Sequence, residues 1–236
     1  METVKAVVAV PWRSDGGRRD QLWSFTRSWI QRHHDYPIVT ADSDPGPFNR
    51  GQAVNRAAVL GGDWQVLIVH DADTVADPQL VKEAVRTAAR LGRVVMPYEV
   101  YIYLDKYSSD MLMASDGRFP FLAPIPYTAD NRYDGKSVIH HGHSGVVVFP
   151  RAAFEAVGGF IELSGWGYED SVMVELLQVF AGGTVWLRGG ALHLWHPHAC
   201  DQRLSAINLR ELQRIRLDRT PQRLRTLLAQ RGHIVP

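Results

Sequence analysis

The feature that most restricts the fold is a regular alternation of short apolar runs and helical periodicities over the first hundred residues. Residues 4–10 and 65–69 are buried-strand runs, and 36–40 and 93–97 add two shorter strands. Between them, Leu22, Phe25, Trp29 and Ile30 recur at helical spacing, as do Ala53, Val54, Ala57 and Leu60 ahead of Gly61-Gly62. A third helix opens on Asp77 then Pro78, an N-cap carboxylate and a first-turn proline. Its apolar face runs from Leu80 through Val81, Ala84, Val85 and Ala88 to Leu91, with Gly92 as the stop. Strands separated by helices of this length predict an α/β fold with a mostly parallel twisted sheet flanked by helices. Such sheets bind ligands beyond the carboxyl ends of their strands. That rule selects the loops at 11–19, 42–50 and 70–74.

The alternation lapses over residues 98–143, which hold six of the eight tyrosines and show no clear period. Two readings stand: an insertion packed through its aromatics, or a segment that covers a substrate. Strand signals return at 145–149 and 184–187, and helical ones at 151–157 and 168–180. Two arginine-rich helical patterns, 202–217 and 221–230, finish the chain.

Composition narrows the class. At 236 residues and 45% hydrophobic, the chain can bury a substantial core, which removes disordered and fibrous classes. Its one cysteine, Cys200, permits no internal disulfide and leads to the expectation of a reducing, cytoplasmic setting. Apolar runs such as 7–10 fall far short of the ~20 residues of a spanning helix, and the N-terminus lacks a signal-peptide pattern. A net charge of +1 argues against nucleic acid as a partner. That balance conceals a shift: residues 201–236 carry eight arginines against three acidic residues, so the remainder is net acidic. The expected division is therefore a catalytic domain at 1–200 and a basic helical extension at 201–236. The extension reads as a packing pair with a solvated basic face, or as a contact for an acidic partner or a second copy.

Three motifs carry chemistry. Asp71-Ala72-Asp73 follows a buried strand, where two carboxylates one residue apart either reach one hard cation or are solvated turn acids. Glu169-Asp170 follows Gly165-Trp166-Gly167-Tyr168, placing two acids in the first turn of a helix, where the dipole favours their charged forms. One of them could act as general base toward a hydroxyl; the plain alternative is helix-start acids beside a core tryptophan. His193, His196 and His198 cluster late in the chain, and neutral imidazole is a common ligand of ions such as Mn²⁺ or Zn²⁺. No Walker A, Gly-x-Gly-x-x-Gly or Gly-x-Ser-x-Gly motif occurs.

These motifs, in this order, resemble those of the GT-A glycosyltransferases, especially the branch of β-1,4-galactosyltransferases and bacterial chondroitin-type polymerases. Val10-Pro11-Trp12-Arg13 resembles that branch's first-strand motif, and Phe48-Asn49-Arg50 its Phe-Asn-Arg helix start. Asp71-Ala72-Asp73 falls at the Asp-x-Asp position, and Gly165-Trp166-Gly167-Tyr168-Glu169-Asp170 is the most specific match. His193 and His196 occupy the region of the late metal ligand. The resemblance implies a GT-A fold with a C-terminal helical appendage, and a metal-dependent transferase of hexose or N-acetylhexosamine from a UDP-sugar to a glycan or protein hydroxyl. Pro11, Arg13, Phe48, Arg50, Asp71 and Trp166 would then bind the donor nucleotide. Asp73, His196, His193 and the edge of Asp71 would hold Mn²⁺ or Mg²⁺. Asp170 would be the base, with Glu169 orienting the acceptor, and an Asp at 170 rather than Asn implies inversion. The sequence departs from the branch in two places: Asp15 stands where a second arginine is usual, and Ser144-Gly145 replaces a glycine pair. Two other classes remain beside this reading, a binding protein without turnover on the same fold and a nucleotidyltransferase.

Overall fold

A computed structural model describes residues 4–115, 138–197, 201–217 and 219–236. Strand β1 (Ala6–Pro11) leads into helix α1 (Arg18–His33), β2 (Ile38–Ala41), α2 (Arg50–Leu60) and β3 (Val66–His70). Then follow β4 (Thr74–Ala76), α3 (Pro78–Leu91), β5 (Val94–Met96), β6 (Val100–Tyr103), α4 (Lys106–Ala114) and β7 (Val138–His140). The chain continues through β8 (Val146–Pro150), α5 (Arg151–Ala156), α6 (Glu169–Phe180), β9 (Thr184–Trp186) and β10 (Gly190–His193), ending in α7 (Gln202–Leu217) and α8 (Pro221–Ala229).

The main sheet has six strands in the order β2-β1-β3-β8-β5-β9. Strand β8 runs antiparallel to β3 and β5, while the pairs β1–β2, β1–β3 and β5–β9 are parallel. This is the mostly parallel sheet expected from the periodicities, and β1, β3, β5 and β8 are buried along their whole length. Helix α2 packs on β1 and β2, and α3 on β3, β5 and β8. The local signals work as read: the Asn49 side chain accepts from Gln52 N, and Asp77 Oδ1 from Gln79 N. Gly92 closes α3 in the left-handed region, at φ 64°.

A second sheet, β4-β10-β6-β7, has no counterpart among the sequence expectations. Its strands are three or four residues long, too short for a period to declare itself. Val75, Leu192 and Leu194 pack there against Leu22 and Trp29 of α1 and Leu112 of α4, forming a small core of their own. The Trp29 indole donates to Ala76 O at 3.3 Å, so α1 is committed to this sheet. Of the aromatic stretch at 98–143, Tyr98, Tyr101 and Tyr103 are buried in strand β6 and its approach, as the packing reading expected. Residues 116–137 lie outside the described residues.

Helices α7 and α8 share the main core: Leu212, Ile215, Leu224 and Leu228 are each at most 2% exposed. Ion pairs from Arg216 and Arg219 to Glu175 tie α7 and the turn after it to α6. Among the described residues, no helix is long and apolar enough to cross a membrane.

Candidate active site

The turn Asp71-Ala72-Asp73 joins the two sheets, since β3 ends at His70 in one and β4 begins at Thr74 in the other. Its backbone is held from both sides: Asp71 N donates to Gly145 O at 2.7 Å, and Leu194 N to Asp73 O at 2.8 Å. Here the second sheet delivers its ligands. His193 ends β10, with Nε2 3.7 Å from Asp73 Oδ1, and His196 Nε2 lies 3.1 Å from Asp73 Oδ2. The candidate ligand atoms of Asp73, His193 and His196 all lie within 4.8 Å of one another. His196 Nδ1 is 3.0 Å from Pro197 O. A carbonyl can only accept, so Nδ1 carries a proton, and Nε2 is the ring nitrogen that faces Asp73. Burial works against a charge on Asp73, but the adjacent His193 and His196 hold its carboxyl far below the ordinary range. Two imidazole nitrogens and a carboxylate can hold a first-row divalent ion and leave coordination positions for other oxygen ligands.

Asp71 stands apart from this cluster. Its Oδ1 accepts from Arg50 Nε and Nη2 at 2.9 and 2.8 Å, and its Oδ2 from Gly145 N at 3.1 Å. Gly145 is a backbone necessity: its φ is +86°, and a Cβ there would meet Tyr98 Oη at 2.5 Å.

Arg50 also reaches the other motif, with Nη1 donating to Asp170 Oδ1 at 3.0 Å and the guanidinium 5.0 Å above the Phe160 ring. Burial opposes its charge, yet Asp170 and Asp71 hold its pKa above the ordinary guanidinium value. The resemblance placed Arg50 against a nucleoside; the structure makes it the bridge between the two acidic motifs. Arg13 is likewise occupied. Its guanidinium donates to Asp42, Ser43, Asp44 and Gly46, and lies 5.5 Å from the Phe48 ring. It therefore shapes the 42–48 loop and the position of Phe48, beside Pro11 at the end of β1.

Helix α6 begins at Glu169, and the residue before it, Tyr168, has φ 71°, a costly conformation for a side chain of that size. The helix start does not lower the proton affinity of this pair of acids, as the sequence suggested it would. Burial pushes the Asp170 carboxyl up against the pull of Arg50, with Asp71 adding to the rise. Burial and then the neighbouring Asp170 push Glu169 up to about 7. Desolvation outweighs the dipole here because Glu169 is only 6% exposed. Glu169 Oε2 accepts from Gly167 N at 2.9 Å, closing the turn around Trp166, which is 39% exposed.

The residues assigned to nucleotide, metal and base, from Pro11 to His196, all line one cleft of about 1090 Å³, while His198 lies outside the described residues. Several others in or under it were missed. Tyr103 packs 4.7 Å from the His193 ring, and the Tyr101 hydroxyl pairs with Thr74 Oγ1 at 2.6 Å. Trp195 N donates to Ser109 Oγ at 2.8 Å, and Arg18 Nε to Trp195 O at 3.2 Å, fixing the strand end that carries His196. The alternation of β-branched residues with tyrosines in Val100-Tyr101-Ile102-Tyr103 was the one sequence signal that could have found the tyrosines.

Solved structures with the GT-A fold match this chain over nearly its full length. Glucosyl-3-phosphoglycerate synthase of Mycobacterium tuberculosis, solved with Mn²⁺ and UDP-glucose, matches at a TM-score of 0.50 and 12% identity, covering 99% of this chain and 80% of that one. A further mycobacterial protein matches at 0.51 and 13%, covering 99% and 76%. A Drosophila β-1,4-galactosyltransferase 7, crystallised with manganese, UDP-galactose and xylobiose, is similar at 0.46 and 16%, covering 87% and 79%. No protein-family model matches the sequence. No curated protein matches it either. The likeness establishes the GT-A fold.

Proposed function

We propose that this protein is a metal-dependent glycosyltransferase that moves a hexose or N-acetylhexosamine from a UDP-sugar to a hydroxyl of a glycan or protein acceptor, with inversion. The observation that carries the reading is one cleft holding both an Asp-His-His cluster fit for a divalent ion and a carboxylate pair with raised proton affinity. Asp73, His193 and His196 would hold Mn²⁺ (or Mg²⁺), which as a Lewis acid supplies charge stabilisation for the UDP leaving group. Pro11, Phe48 and Trp166 offer apolar faces to the nucleotide and sugar, Arg13 sets the Phe48 loop, and Asp71, fixed by Arg50, faces the donor.

Asp170 takes the proton from the acceptor hydroxyl. Its raised pKa suits that task, because a base closer to neutral binds the proton more readily than an ordinary aspartate. The acceptor oxygen attacks the anomeric carbon as the bond to the UDP oxygen breaks, so one bond forms, one breaks, and the proton rests on Asp170. Glu169, half-protonated near pH 7, orients the acceptor and holds Gly167. Residues 1–200 form the catalytic unit in this reading, and the basic helices of 201–236 pack on it and offer a surface for a second copy. A cytoplasmic location accords with the single cysteine.

The test is UDP release with Mn²⁺, a panel of UDP-sugars and an acceptor library. Turnover that needs both metal and acceptor, and that Asp170→Asn abolishes, supports the reading. Binding without turnover, or release of pyrophosphate in place of UDP, overturns it.

A further inference from the structure

The segment Ser164–Gly167 carries Trp166 at the mouth of the cleft, and its backbone is tied down from two directions. On the donor side, Gly165 N donates to Phe48 O at 3.1 Å. On the opposite side stands α7. The Asn208 amide is 3% exposed and donates through Nδ2 to Ser164 O at 3.2 Å and to Gly167 O at 3.1 Å, the carbonyls on either side of the Gly165-Trp166 pair. One turn earlier on α7, Leu204 packs so closely on Gly165 that a Cβ there would lie 2.8 Å from Leu204 Cδ1. Gly165 has φ +77° and Gly167 φ +109°, so the segment has no stiffness of its own to aim an indole.

We propose that Asn208 is a positioning residue for Trp166, and that α7 is a working wall of the cleft rather than an appendage to it. The inference rests on the glycosyl-transfer reading and adds to it a residue outside every motif. The geometry supports it in three ways. A single side-chain amide spans both carbonyls that flank the Gly-x-Gly turn, so its loss frees both carbonyls together and leaves only the Phe48 and Glu169 contacts to Gly165 N and Gly167 N. The same helix then supplies cleft lining through Leu204 and Arg216. Finally, α7 is itself anchored, by Leu212 and Ile215 in the core, by Arg216 on Glu175 at 2.7 Å, and by Arg231 of the chain end on the buried Glu211 at 2.6 Å. A brace can aim a loop only if the brace does not move.

The experiment uses the full chain as wild type, Asn208→Ala and Asn208→Asp; the aspartate keeps the shape but presents oxygen to two carbonyl oxygens. The expected result is a rise in substrate KM and a fall in kcat, about tenfold together in kcat/KM, with Mn²⁺ binding by calorimetry in the absence of nucleotide unchanged within about twofold. Iodide quenching provides the second readout. The Trp166 contribution, taken as the difference from the same chain carrying Trp166→Phe, should become at least about twofold more quenchable in both variants as the loop loosens. Unchanged substrate kinetics together with unchanged quenching overturn the proposal. A parallel loss of Mn²⁺ affinity at the Asp73, His193 and His196 cluster also overturns it, because that would be a general deformation of the cleft. Should Asn208→Asp fail to fold, Asn208→Ser decides by the same two readouts. If the wild type transfers no sugar at all, the functional reading fails, while the quenching difference still reports on the brace.

Discussion

The two ends of the cleft are built on opposite principles. The Asp73, His193 and His196 cluster sits where strands of one small sheet end, and its backbone is hydrogen-bonded to β-structure on both sides. The Glu169 and Asp170 pair sits at a helix start reached through glycines and a left-handed tyrosine, and is held in place from outside, by Arg50 and by α7. Strands set ligands within the narrow tolerance that metal coordination demands. A base that must meet different bound partners can tolerate a more yielding support, provided something braces it. The contrast predicts that substitutions at the metal end act on binding, and those at the base end on turnover.

The largest effect on binding should come from Asp73→Ala. It removes the one carboxylate between two imidazoles, and UDP binding supported by Mn²⁺ should fall at least about a hundredfold by calorimetry. Unchanged binding would refute the metal site and with it the contrast. At the other end, Asp170→Asn should lower kcat by roughly 10²–10⁴ while leaving UDP binding near wild type, the signature of a lost general base. A mutant that turns over normally would remove Asp170 from the chemistry.

Arg50 belongs to both ends, so its removal tests whether they are separate at all. Arg50→Met leaves Asp71 and Asp170 without their shared cation, and should cost about 2–4 kcal/mol in urea unfolding, the lower part of the range reflecting the partial exposure of both acids. Restoring part of that loss with Asp170→Asn in the same chain would show that the unpaired carboxylate, and not lost packing, is responsible.

How much of this could be read from residues alone follows from the distance each feature spans along the chain. Most of the six-stranded sheet and its helices were legible, because β1, β3 and β8 are apolar runs of five or six residues, α1 to α3 keep their period over eleven to sixteen, and the three-residue β5 and β9 follow the breaks at Gly92 and Gly183. The second sheet was not. Strands as short as Thr74–Ala76 carry no period, and their stability comes from Trp29 and Leu112 on helices elsewhere in the sequence. The motif residues were legible as chemistry, but their assignment within the site was not. Arg50 meets Asp170 across 120 positions, and Arg18 meets Trp195 across 177. No window along the chain contains both partners. The ionisation of Glu169 failed for a related reason: the helix dipole can be inferred from a helix start, whereas burial depends on what folds over it.

That failure supplies the finest test of the contrast. Glu169 is raised from 4.5 to about 7 by burial and by Asp170, so the folded protein keeps its proton over a range in which the unfolded chain has lost it. Below about pH 4.5 both states are protonated, and the group contributes no pH dependence. Between about 4.5 and 7 the native state binds more protons than the unfolded one, so stability falls as pH rises; above 7 both are ionised and the loss is complete. Glu169→Gln removes this slope. The difference in unfolding free energy between wild type and mutant should therefore shift in the mutant's favour across that window, by roughly 3 kcal/mol, at about 1.4 kcal/mol for each pH unit between 4.5 and about 7. At the metal end the sign reverses. Asp73, held low by its histidines, loses stabilisation only as pH falls into the acid range, so Asp73→Asn should leave the interval from 4.5 to 7 flat with respect to this carboxyl. Opposite slopes at the two ends of one cleft would confirm that desolvation governs the base pair and charge pairing the ligand cluster; matching slopes would collapse the distinction.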